Sequence, residues 1–164
     1  MIRKCLCFLL LVPLFSGCYS LKGFSISESL KTFDVLDFRN TAPNAPPTVQ
    51  QIFSESLKEK IARESRLTPD NQNPDITFSG TIIRYSVTAV APERNATTAA
   101  NRLEIGVSVT YENNQDKDDR WTQSFSHFLD FPSSQNLLDV QDELITEIFD
   151  QIIEDIFNKA FTNW

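Results

Sequence analysis

The side chains that could carry out chemistry are few, and most of them lie near the start of the chain. The cysteines are Cys5, Cys7 and Cys18, and the single histidine is His127. Histidines, cysteines and carboxylates do not cluster at metal-ligand spacing, and the glycines are too scattered for a loop that holds phosphate. The sequence therefore predicts a protein that is not an enzyme and that binds no metal and no cofactor.

Cys18 follows a pattern typical of a secreted protein. Two basic residues precede an apolar run at 5–15, which is too short to span a bilayer. Ser16 and Gly17 then stand directly before Cys18, an arrangement similar to the lipobox at which bacterial lipoproteins are cleaved and acylated. We expect residues 1–17 to be a cleaved signal peptide and Cys18 to be the lipid anchor. The alternative is an ordinary signal peptide with an incidental cysteine.

Length and charge limit the remaining possibilities. The chain has 164 residues and a formal net charge of −7, and the expected cleavage would remove two basic residues and no acidic ones. A chain of this length is typical of one domain. The acidic balance argues against a nucleic-acid partner, which would need basic patches. We expect residues 18–31 to lead from the anchor to a single domain at 32–164.

Apolar periodicity predicts two helices and four strands. Residues 32–38 are rich in Phe, Val and Leu, as expected for a strand, and Pro46 and Pro47 suit the first turn of a helix. Helical spacing is found in two sets, Val49, Ile52, Phe53, Leu57 and Ile61, and Ile145, Ile148, Phe149, Ile152, Ile153, Ile156, Phe157 and Phe161. Alternation with a period of two is found in segments 76–82, 103–111 and 121–131, although Phe128 breaks the last pattern.

The resulting order is β-α-β-β-β-α. A sheet with one apolar face and two amphipathic helices bury their apolar surfaces against each other, and the helix between the first two strands favours a right-handed parallel crossover. The expected fold class is therefore α+β, with both helices on one face of a four-stranded mixed sheet. The acidic side of the last helix, which includes Glu154 and Asp155, is expected to face water.

The outward face of this sheet is predicted to be rich in hydroxyl groups and nearly uncharged. We name it the hydroxyl face; it consists of Thr77, Ser79, Thr81, Ser108, Thr110, Thr122, Ser124 and Ser126. Such a face is either simply hydrated or made to meet another polar wall, since hydroxyls lose water at less cost than charges. His127 has the opposite phase, so we expect it to point toward the helices as a hydrogen-bonded histidine.

The sequence also resembles the LptE family of lipopolysaccharide-assembly lipoproteins. Five stretches, in their order and spacing, carry the resemblance: Ser16 to Tyr19, Pro46 to Thr48, Ala100 to Leu103, Gln123 to Ser126 followed by Phe128 and Phe131, and Glu154 to Trp164. The predicted order of elements also matches that family's fold.

The resemblance implies a lipid-anchored protein of the outer membrane that faces the periplasm. It would insert, one to one, into an LptD-like β-barrel, help that barrel to assemble, plug it, and assist lipopolysaccharide transport to the cell surface. It implies no catalysis and no cofactor. Arg94 and Arg102 are the basic residues nominated for contact with lipopolysaccharide. The alternative from another class is a periplasmic lipoprotein that binds peptidoglycan or a cell-wall synthase.

The lipid anchor is directly testable. We expect cells grown with an alkyne fatty acid to label the parent chain and not the Cys18→Ser variant, because the thiol is the expected acylation site. Labelled protein is detected on a gel after coupling to a fluorophore. Equal labelling of the two chains would show that Cys18 is not the anchor.

Overall fold

The computed structural model describes residues 26–90 and 99–162, which contain a six-stranded mixed sheet and two helices. The strands are β1 (Thr32–Val35), β2 (Arg39–Asn40), β3 (Thr68–Pro69), β4 (Ile76–Val90), β5 (Ala100–Asn113) and β6 (Arg120–Pro132), and the helices are α1 (Val49–Glu64) and α2 (Leu137–Phe161). The predictions for residues 1–17, Cys18 and Arg94 lie outside the described residues.

The sheet runs in the order β3-β1-β4-β5-β6, and β2 also pairs with β4. β1 is parallel to β3 and β4, as the predicted crossover through α1 requires, and β4, β5 and β6 form an antiparallel meander. The α+β class and the mixed sheet are confirmed. The expected count of four strands is wrong, because β1 ends at Val35, before the predicted end at residue 38, and two further short strands, β2 and β3, also pair in the sheet.

The gap between β1 and β2 has a steric reason at Gly80. A Cβ atom at Gly80 would lie 2.5 Å from the ring of Phe38, so the missing side chain makes room for this ring between β1 and β2. The N–H of Phe38 donates to the hydroxyl of Ser54 on α1 at 3.0 Å instead of joining a ladder. The strand is therefore interrupted where Phe38 turns into the core.

Aromatic rings connect this point to both helices. Phe38 packs on Phe53 of α1, and Phe53 packs on Phe149 of α2, each pair with ring centroids 4.9 Å apart. Phe53 and Phe149 are almost completely buried in one continuous hydrophobic core that also includes the inner residues of the sheet. Both helices therefore lie on the same face of the sheet, as expected.

The helices differ in how closely they follow their sequence patterns. Every residue of the apolar set predicted for α2 is buried, and Asn136 caps its start by accepting the N–H of Leu138 at 3.2 Å. α1 starts at Val49, just after the two prolines instead of on them, and Ile52 of its set is 38% exposed. The buried apolar surface of α1 is narrower than expected, because the helix covers only the part of the sheet in which the strands are parallel.

An ion pair links the two helices at the boundary of the core. Lys60 of α1 contacts Glu154 of α2 and Glu64 of its own helix, the latter at 2.9 Å. Burial lowers the pKa of Lys60, but the hydrogen bonds and charges of the two carboxylates more than offset this and hold the pKa above its usual value. The expectation that Glu154 only faces water is therefore wrong, whereas Asp155 is exposed as expected.

Two isoleucines that look alike in sequence provide a test of this core. We expect Ile152→Ala to lower the free energy of unfolding by about 2–5 kcal/mol, because Ile152 is completely buried and its loss leaves a cavity. The matched change Ile52→Ala should cost at most about 1 kcal/mol, because that side chain is partly in water. Urea denaturation measures both, and equal losses would contradict this placement of the helices.

Candidate interaction face

The hydroxyl face is one continuous surface on the side of the sheet away from the helices. Strand register aligns two rows across β4, β5 and β6: Ser79, Thr110 and Thr122 in one row, and Thr81, Ser108 and Ser124 in the next. The hydroxyls of Thr110 and Thr122 are 2.9 Å apart and share a hydrogen bond.

Thr77 and Ser126 extend the face at opposite ends of these rows. All eight members are half-buried or exposed. The structure therefore brings the predicted residues together, and their side chains remain accessible to a partner.

A β-bulge in β4 ends the uncharged part of this face. Ile82 faces Val107 and Arg84 faces Gly106, so Ile83 is an extra residue without a partner on β5. Beyond it, charged side chains join the hydroxyls at the outward positions, with Ser86 opposite Glu104 and Thr88 opposite Arg102. The expectation of a nearly uncharged face therefore holds for the two central rows and is wrong at both ends, beyond Ile83 and where Glu112 lies opposite Arg120 beside Thr77.

The charges beyond the bulge occur as pairs of opposite sign. Arg84 contacts Glu104 at 2.6 Å, and Arg102 binds Asp130 through two nitrogens at 2.7 and 3.0 Å. The guanidinium of Arg102 also lies over the ring of Phe128, 3.7 Å from its centroid. This contact explains why Phe128, which is 45% exposed, points outward and breaks the pattern of β6.

Arg102 is thus a neutralised cation in this structure. The Asp130 hydrogen bonds raise its pKa, and the same contacts hold the pKa of Asp130 below its usual value. An anionic ligand at Arg102 would have to compete with the Asp130 carboxylate. Sequence reasoning nominated this arginine but did not find its partner, since Asp130 is 28 positions away in the chain.

His127 lies on the edge strand β6, between the buried Phe125 and Phe131. It is half-buried with the phase of Phe125, as expected, and its ring stacks near that of Phe128 with centroids 6.0 Å apart. Among the residues that the structure describes, its side chain has no hydrogen-bond partner, so the expected hydrogen bond is not found there. The reason is its place on an edge strand that α2 covers only in part.

The opposite corner of the sheet is fixed by Asp75, which sequence reasoning missed. Its carboxylate accepts the N–H groups of Lys31 and Thr32 at 2.7 and 3.0 Å and the amide of Gln115 at 2.6 Å. These bonds, led by that of Lys31, hold the pKa of Asp75 below its usual value. A short carboxylate in a loop gave no signal in the sequence because its partners are more than 39 positions away.

An open groove of about 580 Å³ between the helices is lined by charged and polar side chains that include Lys60 and Glu154. In the described part of the chain, histidine, cysteine and carboxylate side chains do not gather in a group that could hold a metal ion. Neither described helix has the length and apolar character needed to cross a membrane.

A comparison with known families identifies the chain. The model of the family described as "LptE: Lipopolysaccharide-assembly" matches residues 30–160, which include every strand and almost all of α2. The chain belongs to the LptE family. This confirms the resemblance found in the sequence and assigns the protein to lipopolysaccharide-assembly lipoproteins. A comparison with curated proteins finds no match.

Solved structures of other proteins, two of them lipoproteins, share this fold at low identity. A minor lipoprotein from Acinetobacter baumannii is 11% identical with a TM-score of 0.52, over 80% of this chain and 92% of the other. An uncharacterized lipoprotein B from Nitrosomonas europaea is 12% identical with a TM-score of 0.53, over 80% and 83% of the two chains. Protein XCC0632 from Xanthomonas campestris is 8% identical with a TM-score of 0.53, over 86% and 87%. These likenesses concern the fold alone.

The pairing of Arg102 with Asp130 can be tested by titration. We expect Arg102→Gln to return the pKa of Asp130 toward its ordinary value, whereas Arg84→Gln, which breaks the neighbouring pair, should leave it low. Because the folded pKa is depressed, the stability from this pair is present at neutral pH and is lost as pH falls through the depressed pKa. Carboxyl NMR shifts measure the titration. An unchanged Asp130 pKa in Arg102→Gln would contradict the assignment.

Proposed function

We propose that this chain is an outer-membrane lipoprotein that pairs one to one with an LptD-like β-barrel. In this role it assists assembly of the barrel, plugs its lumen and helps to deliver lipopolysaccharide to the cell surface, with no catalytic step of its own. Membership of the LptE family supports the proposal. The observation that carries it is the pair of hydroxyl rows at the centre of an exposed sheet face on an acidic protein.

Desolvation explains why such a face suits the inside of a barrel. A charged side chain enclosed by another protein loses its water, and it destabilises the contact unless a partner of opposite charge meets it. A hydroxyl loses less, and it can donate or accept, so it tolerates imperfect pairing. The two central rows therefore suit close contact with a polar wall.

The end of the face beyond the bulge is compatible with the same role. Arg84 with Glu104 and Arg102 with Asp130 each form a pair of net charge zero, so this end brings no unpaired charge to an interface. For lipopolysaccharide, we propose Arg94 and Arg102 as contacts. Arg102 would exchange the Asp130 carboxylate for an anionic group of the lipid.

The anchor sets the location. With Cys18 acylated, the domain would be held in the outer membrane and face the periplasm. Ile26 is buried in the domain, and its carbonyl accepts Arg66 at 3.2 Å, so the domain begins within a few residues of the proposed anchor. A short connection of this kind would keep the hydroxyl face near a barrel in the same membrane.

The test places charge on the face without disturbing the fold. Ser108 and Ser124 are directly opposite, so two glutamates there would repel each other within the domain. Thr81 and Ser124 lie on strands either side of β5, about 10 Å apart at ordinary strand spacing. The pair Thr81→Glu with Ser124→Glu therefore adds two separated charges to one row.

We expect this double variant to recover the LptD-like barrel poorly in a pull-down from detergent-solubilised membranes. The cells should also become sensitive to large antibiotics that an intact outer membrane excludes. The free protein should melt within about 4 °C of the parent, because the sites are accessible to water. Thr81→Gln with Ser124→Gln is the control for size.

Two results would contradict the proposal. Normal recovery of the barrel with both pairs would show that the hydroxyl face is only hydrated. A pull-down of the parent chain that yields peptidoglycan or a cell-wall synthase, and no barrel, would contradict the function itself.

A further inference from the structure

β6 occupies one end of the sheet and is long. It runs from Arg120 to Pro132, and within residues 26–90 and 99–162 no strand pairs with its outer side. Its inner side pairs with β5 from Arg120 opposite Glu112 to Pro132 opposite Ala100. Free N–H and C=O groups along such an edge are a template for another strand.

The two edges of the sheet are protected to different degrees. β3, at the other edge, has only two residues, and one of them is Pro69, which cannot donate to a ladder. β6 has charges only at Arg120 and Asp130, and residues 121–129 contain no Lys, Arg, Asp or Glu. Natural edge strands usually carry a charge, a proline or a bulge that prevents pairing, and the middle of β6 has none of these.

The sequence of β6 is complementary to itself when two copies run antiparallel. We propose that β6 pairs with β6 of a second copy of this chain, with Phe125 on the two-fold axis. Residues equally far from Phe125 then face each other: Arg120 with Asp130, Trp121 with Leu129, Thr122 with Phe128, Gln123 with His127, and Ser124 with Ser126.

Charge selects this register and direction. Arg120 is exposed and forms no ion pair in the described ranges, whereas the exposed Asp130 already accepts two hydrogen bonds from Arg102 and would be shared between the two arginines. The antiparallel register places Arg120 of each copy opposite Asp130 of the other. A parallel pair in register would place like charges opposite each other, which destabilises a sheet.

Two half-buried apolar side chains also favour this strand pairing. Trp121 and Leu129 pack against the core but remain half-buried, because α2 ends its cover at the edge strand. In the dimer each Trp121 would lie beside Leu129 of the second copy, on the side of the sheet that carries the helices. Aromatic and aliphatic neighbours across strands stabilise a ladder, so the pairing both extends the sheet and completes this part of the core.

Disulfide trapping on the detergent-purified full chain tests the register. Directly opposite residues are close enough for a disulfide, whereas diagonal neighbours lie about 7–8 Å apart, beyond its usual reach. A mixture of Ser124→Cys and Ser126→Cys chains should therefore form a cross-linked dimer on mild oxidation. Each variant alone should give no more dimer than the parent, which sets the background.

A charge series tests the interface with equal numbers of substitutions. Ser124→Lys with Ser126→Lys places like charges opposite each other twice and should abolish the dimer. Ser124→Glu with Ser126→Lys places opposite charges there and should retain it. Sedimentation equilibrium in density-matched detergent, with about 0.15 M salt to screen the acidic surfaces beyond about 8 Å, measures the association.

Several outcomes would overturn the proposal. One is a parent chain that stays monomeric at about 100 µM. A second is a dimer that survives the double lysine variant, which would place the interface elsewhere. A third is trapping between Thr122→Cys and Ser126→Cys in preference to the expected pair, which would show a different register. Ser124 and Ser126 belong to both surfaces, so the dimer is proposed for the chain without its barrel, and it is measured on purified protein only. Barrel recovery is measured separately with the Thr81→Glu and Ser124→Glu pair, so failure of the dimer and failure of the proposed function can be told apart.

Discussion

The fold depends on burying one face of a sheet and leaving the other face open. The apolar side chains of β4, β5 and β6 are covered by α2, and the ring of Phe38 closes the core over the missing side chain of Gly80. From Phe38, ring contacts lead through α1 to α2, so the parallel and antiparallel parts of the sheet share one core. Because the helices occupy only this side, the opposite face is available for contact.

The strongest periodic patterns were sufficient to predict the main elements. α2 and β5 have unbroken apolar sets, and each set is buried as expected. The pattern of β4 stopped at Ile82 because the bulge at Ile83 reverses which residues point inward, although the strand continues to Val90. β2 and β3 have two residues each, too few to show any period, so only pairing in the folded chain could reveal them.

The sequence predicted which residue types lie on the interaction face, but it did not predict how the charged residues there are paired. Alternation alone placed the eight hydroxyl residues on one side of the sheet. The pairs that neutralise Arg84 and Arg102 depend on strand register, which periodicity does not give. The anchoring role of Asp75 likewise depends on contacts between distant loops. Local patterns in the sequence therefore identify faces, whereas the partners across strands require the fold.

The bulge in β4 has a consequence for how this family can vary. Before it, even-numbered residues such as Ile82 point to the core, and after it odd-numbered residues such as Tyr85 do so. Removing Ile83 would leave all the remaining side chains of β4 on their present sides of the sheet. It would mainly remove the extra local twist that the bulge produces. Relatives can therefore lose or gain one residue here without reversing the two faces, so strand curvature can change independently of the surface that the sheet presents.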